Sequence, residues 1–185
     1  AETVLVLEKC GAVGGDTLVC GAIYNCPDEE LQSKETLSDA KKAQIEAVLA
    51  KPTTADDEKE LQDTVAAEWK AYQESGRTDI FDSVAWYALQ TFDGGDRVAN
   101  LDLVKVLCYN AKPGYDWIKS LGMEFHDTIG QGAGSLWQRT HTSTMNMGTG
   151  FIRTYVNNMA KMDGVKIMTS NTGKTMIKAD NVNIT

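Results

Sequence analysis

Residues 3–7, Thr-Val-Leu-Val-Leu, run straight into Glu8 and Lys9, and a glycine pair, Gly14-Gly15, follows with Asp16 and Thr17 close behind. An amphipathic helix needs polar positions on its outer face, and this run offers none. A short apolar run closed by a Gly-rich turn is the pattern of a strand buried on both faces, which is how parallel sheets are built. The fold class it points to is α/β. An acid at the C-terminal end of such a strand is where dinucleotide-binding folds hold a ribose hydroxyl. Such a strand is expected to follow another one carrying a G-x-G-x-x-G turn. These 185 residues contain no such turn, so the expectation is a chain that opens in mid-fold.

That length suits one domain or one large piece of a domain. The net charge of −8 argues against nucleic acid as a partner, where a basic stripe is needed, and against an anionic membrane surface. No apolar stretch is long enough to span a membrane. The four cysteines (Cys10, Cys20, Cys26, Cys108) form no C-x-x-C, and the two histidines (His126, His141) do not cluster with them, so no metal site is expected. Small reduced thiols are the expectation, although spacing alone leaves a Cys20–Cys26 disulfide open.

The acids are concentrated. Residues 28–76 hold 13 of them against six lysines, which accounts for nearly all of the net charge. Ser38 is placed to cap a helix that Pro52 stops. Thr54 is placed to cap another, with Asp56, Asp57 and Glu58 in its first turn, where the helix dipole favours negative charge. Leu61, Val65, Trp69 and Tyr72 then share one face, and Gly76 ends the run. The result is a helical hairpin with a solvated acidic face, or alternatively a docking surface for a basic partner.

Further along, Asp79 is expected to cap a helix reaching Phe92, ended by Gly94-Gly95. Asn100 is expected to cap the next, with Leu103, Val104 and Leu107 inward. Pro113-Gly114 is read as a break, followed by a short helix from Tyr115 to Leu121. Residues 123–142 read as a small extended region: 123–126 and 136–142 both alternate. A helix is expected over Phe151–Met162, then strands over 165–169, 174–177 and 182–184.

Hydrolytic and nucleotide-hydrolysing motifs are absent. There is no G-x-S-x-G, and Gly173-Lys174-Thr175 lacks the upstream glycine of a P-loop. His141 and His126 are each either a functional imidazole or a hydrogen-bonded structural one. Arg139 beside His141 suits carboxylate or phosphate oxygens. Residues 10–26 are rich in Gly, Ala and Cys, which lets backbone approach something flat, or makes a plain glycine loop.

Taken in order, Val4-Leu5-Val6-Leu7-Glu8-Lys9, Gly14-Gly15-Asp16-Thr17 and Cys20-Gly21-Ala22 resemble the V-x-V-L-E-K, G-G-N-[ST] and [AS]-G-G motifs of the FAD-binding flavoprotein family of fumarate reductase and succinate dehydrogenase. Asp82-Ser83 with Gly94-Gly95, Asn100 to Val104, Tyr115 to Gly122, Arg139-Thr140-His141 with Gly148-Thr149-Gly150, and Val165 to Ile177 are similar to later motifs of that family in the same order. The resemblance implies a partial Rossmann-like FAD-binding domain over 1–185, lacking its first strand, with 28–76 as an acidic helical insertion. It implies that Glu8 accepts from the FAD ribose. The backbone around Gly14, Gly15, Asp16 and Thr17 would pass the pyrophosphate and flavin. Gly21 and Ala22 would lie by the isoalloxazine and Gly173 by the adenine; Lys9 belongs to the same cofactor-binding set. His141 would face substrate.

Asp16 departs from the family's Asn, and Thr142-Ser143 from its Arg-Pro. No catalytic residue is assigned, since the family's proton-delivering arginine would fall beyond residue 185. The implied activity is hydride transfer from reduced FAD to the activated C=C bond of a small unsaturated carboxylate, with an electron-donor domain or protein as partner. This piece alone is expected to be inactive and to hold FAD weakly or not at all. The same scaffold acting as a urocanate reductase or ketosteroid dehydrogenase, a non-catalytic interaction module, and a degenerate domain that binds no cofactor are the alternatives. Compartment stays open between bacterial cytoplasm and cell envelope.

Overall fold

A computed structural model describes residues 3–175. The chain mixes helix and strand, and its sheets are small. Strand β1 (Val4–Leu7) pairs in parallel with β4 (Val165–Met168), so that Val4 lies opposite Val165 and Leu7 opposite Met168. Strand β2 (Ile23–Asn25) pairs antiparallel with β3 (Thr140–Thr142). Between β2 and β3 lie helices α1 (Glu29–Gln32), α2 (Asp39–Leu49), α3 (Asp56–Glu74), α4 (Val84–Gly94) and α5 (Leu101–Ser120); α6 (Thr149–Met159) lies between β3 and β4. The strands expected over 174–177 and 182–184 reach into or lie within residues outside the described range.

The parallel pairing of β1 is as expected, but its burial is not. Val4, Leu5 and Leu7 are 44%, 55% and 49% exposed. Among the described residues β1 pairs only with β4, so one edge and much of both faces stay open.

The main core lies elsewhere, among the helices. Leu61, Val65, Trp69 and Tyr72 of α3 are all buried, as their spacing predicts. They meet Ile45 and Val48 of α2, Trp86 and Leu89 of α4, and Trp137. Burying each such side chain contributes about 1.5–3 kcal/mol. Trp86 and Trp137, both without exposed surface, cross edge to face at 5.2 Å, and the Trp137 indole donates to Phe81 O at 3.0 Å. The acidic hairpin therefore supplies a large share of the core with its inner face.

Its second helix is held by a buried carboxylate. Glu58, 2% exposed, accepts from the Thr54 backbone and hydroxyl at 2.8 and 3.1 Å and pairs with Arg97, which also donates to Asp93 at 2.9 Å. Ala55, not Thr54, takes the cap position, and the Thr54–Glu58 bonds replace the expected side-chain cap. Ser38 and Asn100 cap α2 and α5 as expected, accepting from Lys41 N and Leu103 N.

Four local expectations are corrected. Helix α4 starts at Val84 under Ser83, whose hydroxyl accepts from Trp86 N at 2.9 Å. Asp79 is engaged otherwise: its carboxylate takes Arg77, and its carbonyl takes the Tyr72 hydroxyl at 2.6 Å. Pro113 does not break the helix; α5 runs through it. A helical proline costs about 3 kcal/mol. Val104, Cys108, Ala111, Tyr115 and Ile118 form one buried stripe on both sides of Pro113, and their burial outweighs that cost. Leu103 and Leu107, expected inward, are 67% and 60% exposed, because the stripe is centred on Cys108 and Ala111 instead. The extended region is sparser than its alternation suggests. Residues 123–126 contribute only an isolated bridge between Phe125 and Ser143, and β3 covers three residues.

Candidate functional site

Glu8 follows directly on β1 at its C-terminal end. Its N–H donates to Met168 O at 2.9 Å, and its carbonyl accepts from Asn171 N at 2.9 Å, so the strand end is locked to the end of β4. The carboxylate accepts from Cys10 N at 2.6 Å through one oxygen. The other oxygen has no partner among the described residues and is available to a hydroxyl.

Beyond it the chain turns on Gly14 (φ +127°) and Gly15 (φ +48°), conformations open to glycine at little cost. A side chain on Gly14 would also collide with Leu18, at 2.5 Å from Cγ. The turn leads into a 3-10 helix, Gly15–Val19, with Asp16 and Thr17 exposed in its first turn. That helix packs against the N-terminus of α6, where Gly148 admits it.

Three non-glycine residues with left-handed backbone flank this loop: Ala22 (φ 55°), Met147 (φ 53°) and Ser170 (φ 57°). Each costs about 1–2 kcal/mol, and such residues gather at binding sites, where surrounding structure holds them. Ala22 is buried and its carbonyl accepts from Ser143 N at 3.0 Å; Ser170 N donates to Cys10 O at 2.8 Å. Between the loop, α6 and β4 lies an apolar cleft of about 510 Å³, lined by Ala12, Val13, Leu18, Ile152, Val156 and Ile167. Its size and lining suit a flat apolar ring.

The structure thus brings Glu8, Gly14, Gly15, Asp16 and Thr17 into one region with the start of α6. Lys9 and Gly21 are exposed beside them. Gly173 is exposed, and a side chain there would meet nothing within 4 Å.

His141 stands apart, on β3 and wholly buried. Its Nε2 lies 3.3 Å from Cys26 Sγ, 3.4 Å from Cys26 O and 4.0 Å from Asp28 Oδ2. Its ring rests 4.1 Å from that of Tyr115, and Nδ1 has no partner among the described residues. Burial lowers the imidazole pKa below its usual value, with Asp28 opposing, and burial pushes the Cys26 thiol up to about 12. Thiol and carboxylate meet the same ring nitrogen. A nucleophilic relay needs them on opposite nitrogens, so the arrangement is a neutral, packed pair.

Arg139, expected beside His141 as an anion ligand, is spent internally. Its guanidinium grips Asp82 with two bonds of 2.9 and 2.7 Å, donates to Gln90 Oε1 at 2.9 Å, and stacks over Tyr87 at 4.2 Å. Asp82 also accepts from Gln32 at 2.7 Å. Both charges are buried and each is fully answered, which is what makes a buried ion pair tolerable. The sequence carries no local signal of this set, since Asp82 and Arg139 are far apart in the chain. All four cysteines are free thiols, Cys26 and Cys108 buried, so the disulfide left open between Cys20 and Cys26 is not formed. Among the described residues no His, Cys, Asp or Glu cluster suits a metal ion, and no helix is long and apolar enough to cross a membrane.

No protein-family model matches the chain. It is 28% identical over 195 aligned positions to NADH:acrylate oxidoreductase of Vibrio harveyi, a match that covers 97% of this chain and 19% of that protein. The chain thus spans about a fifth of that protein's length. What it is similar to is a segment of an oxidoreductase.

Proposed function

We propose that this chain is the ribose- and flavin-contacting part of an FAD-dependent oxidoreductase of the fumarate reductase type, which reduces the activated C=C bond of a small unsaturated carboxylate such as acrylate. The observation that carries this reading is Glu8: a carboxylate with one free oxygen at the end of a parallel strand, followed by a positive-φ glycine turn. Glu8 holds the ribose. Amides from Gly14 to Thr17 approach the pyrophosphate and ring, with the Thr17 hydroxyl beside them; Gly21 lines the ring's edge and buried Ala22 supports it from behind. The shallow apolar cleft next to the loop offers one face of the ring a surface to rest on. Bound flavin supplies the hydride chemistry; the chain supplies binding and orientation. Reducing equivalents come from an NADH-linked domain or protein, in keeping with the name of the relative.

Two residues fit the cofactor poorly. Asp16 puts a negative charge where a pyrophosphate would pass, and buried His141 has no open path to a substrate. In this reading His141 orders the β2–β3 pair and leaves substrate contact to residues elsewhere.

The test is titration of the chain with FAD, followed by flavin fluorescence and amide NMR. Weak saturable binding is expected, with shifts at Glu8 and residues 14–17. Glu8→Ala should weaken it at least severalfold, and Asp16→Asn should tighten it. Shifts confined to other residues, or binding indifferent to both substitutions, would sink the reading.

A further inference from the structure

The outer face of α5 carries an apolar stripe that nothing among the described residues covers. Leu103, Val106 and Trp117 are 67%, 60% and 56% exposed, and Asn110 and Pro113 stand exposed between them. Along the sequence these five positions are 3, 4, 3 and 4 residues apart, the a/d spacing of a helix that pairs with another helix. On the opposite side Val104, Cys108, Ala111, Tyr115 and Ile118 are already committed to the core. The helix is therefore two-sided, with a second seam about 30 Å long facing outward. Single exposed apolar residues are ordinary, but a continuous row of them marks an interaction surface. The row is extended at both ends. Val98, 85% exposed, precedes the helix, and the Trp117 ring lies 6.1 Å from that of Tyr155 on α6.

We infer that two copies of this chain pair through α5, antiparallel, about a two-fold axis at Asn110. Leu103 of one protomer then meets Trp117 of its partner, and Val106 meets Pro113. Charge selects this direction. Helical periodicity places Asp102, Lys105, Asp116 and Lys119 together on one flank of the stripe. Among the described residues Asp102, Lys105 and Lys119 have no oppositely charged partner, and Asp116 takes Lys112 through one oxygen. Antiparallel pairing sets Asp102 near Lys119 and Lys105 near Asp116, and the symmetry of the pair repeats both contacts. A parallel pair would set this flank against Leu107 and Gly114, which carry no charge. Asn110 falls on the axis, where its amide meets its own copy; a single polar residue in such a seam fixes the register at some cost in affinity. The pairing rests on α5 and not on the flavin reading.

The experiment is sedimentation equilibrium with tryptophan fluorescence on the chain without flavin, from about 1 µM to about 1 mM. The stripe is smaller than the roughly 800 Å² per partner of a standard interface, so a dimer with a Kd on the order of 100 µM is expected. Trp69, Trp86 and Trp137 are buried, so a blue shift of emission on association reports Trp117. Val106→Glu and Trp117→Glu should each weaken the dimer about tenfold or more, since each places two charges in the seam. Lys105→Glu and Asp116→Lys should each weaken it severalfold, and the double variant should recover most of the loss. All four positions lie at the surface, so circular dichroism should match that of the parent chain. A monomer at every concentration leaves the stripe to a different chain or domain and overturns the pairing. A dimer indifferent to Val106→Glu and Trp117→Glu overturns the surface, and a double charge variant no better than the single ones overturns the antiparallel register.

Discussion

The carbonyl oxygen of Thr17 lies 1.6 Å from where a Cβ on Gly148 would stand, so the two backbones approach as closely as backbones can. The candidate cofactor loop rests on α6 through this contact. Gly148→Ala must push the 3-10 helix away, at about 1–3 kcal/mol for overpacking. Urea unfolding of the helical core should change little, while hydrogen exchange at residues 14–20 should accelerate and FAD-dependent shifts should vanish.

The Glu58–Arg97 pair ties α3 to the end of α4. Truncating Arg97 to Ala leaves a buried carboxylate unpaired and should destabilise the chain by about 3 kcal/mol, read as a fall in the urea midpoint. Burial alone would raise the Glu58 pKa, but the Thr54 N–H and Arg97 bring it below its ordinary value of 4.5. Its contribution is therefore complete above that value and is lost as pH falls through the lower folded-state value. Glu58→Gln should flatten the acid limb of the stability profile.

His141 acts with the same sign for a different reason. Its folded-state pKa lies below 6.5, lowered chiefly by burial. Between those two values the unfolded chain binds a proton that the folded one refuses, so stability falls as pH drops below 6.5. His141→Phe should remove that slope. Its ring signals in the native chain should begin to titrate only below the usual histidine range.

Thiol chemistry offers a simple map of the interior. Cys26, with its thiol raised to about 12, and Cys108, also raised by burial, should resist iodoacetamide in the native chain at pH 8 (on the order of the free-thiol pKa). Exposed Cys10 and Cys20 should react. Mass spectrometry of digested native protein reads this directly, and modification of Cys26 without unfolding would contradict the packed Cys26–His141 pair.

Pro113 stands exposed within α5 and withholds one backbone N–H from the helix. Pro113→Ala should raise stability by about 1–3 kcal/mol. Gly114→Ala should lower it, since the new methyl would meet the Tyr24 hydroxyl at 2.6 Å and disturb its bond to Ala111 O.

What the sequence made legible follows range. The stripe Leu61-Val65-Trp69-Tyr72, the caps Ser38 and Asn100, and the strands at 4–7 and 165–168 are local patterns, and each stands where its pattern puts it. Ser83 displaced Asp79 as the α4 cap because Asp79 found Arg77, a choice set by a neighbour that helix-cap rules ignore. Strand β2 was hidden in a Gly- and Cys-rich stretch because three residues are too few to show a period. The engagement of Arg139 by Asp82 and of His141 by Cys26 arises from tertiary pairing alone, so side chains that read as ligands became interior ties. The glycine loop was legible as a loop. The part Gly148 plays in admitting it to α6 comes from a contact with Thr17 far away in the chain, which no local pattern carries.

The pairing of Val4 with Val165 also fixes an order of events. The contacts among α2, α3, α4 and α5 close over short stretches of chain, whereas β1 and β4 must find each other across nearly all of it. Loop closure grows costlier with separation, so the helical body is expected to form first and the two strands to join last. In reverse they part first, at less than the free energy of global unfolding. Glu8 and the glycine turn hang on that late pair. A ligand spanning them would meet a site that is intermittently open, and its affinity would include the work of keeping the two strands closed.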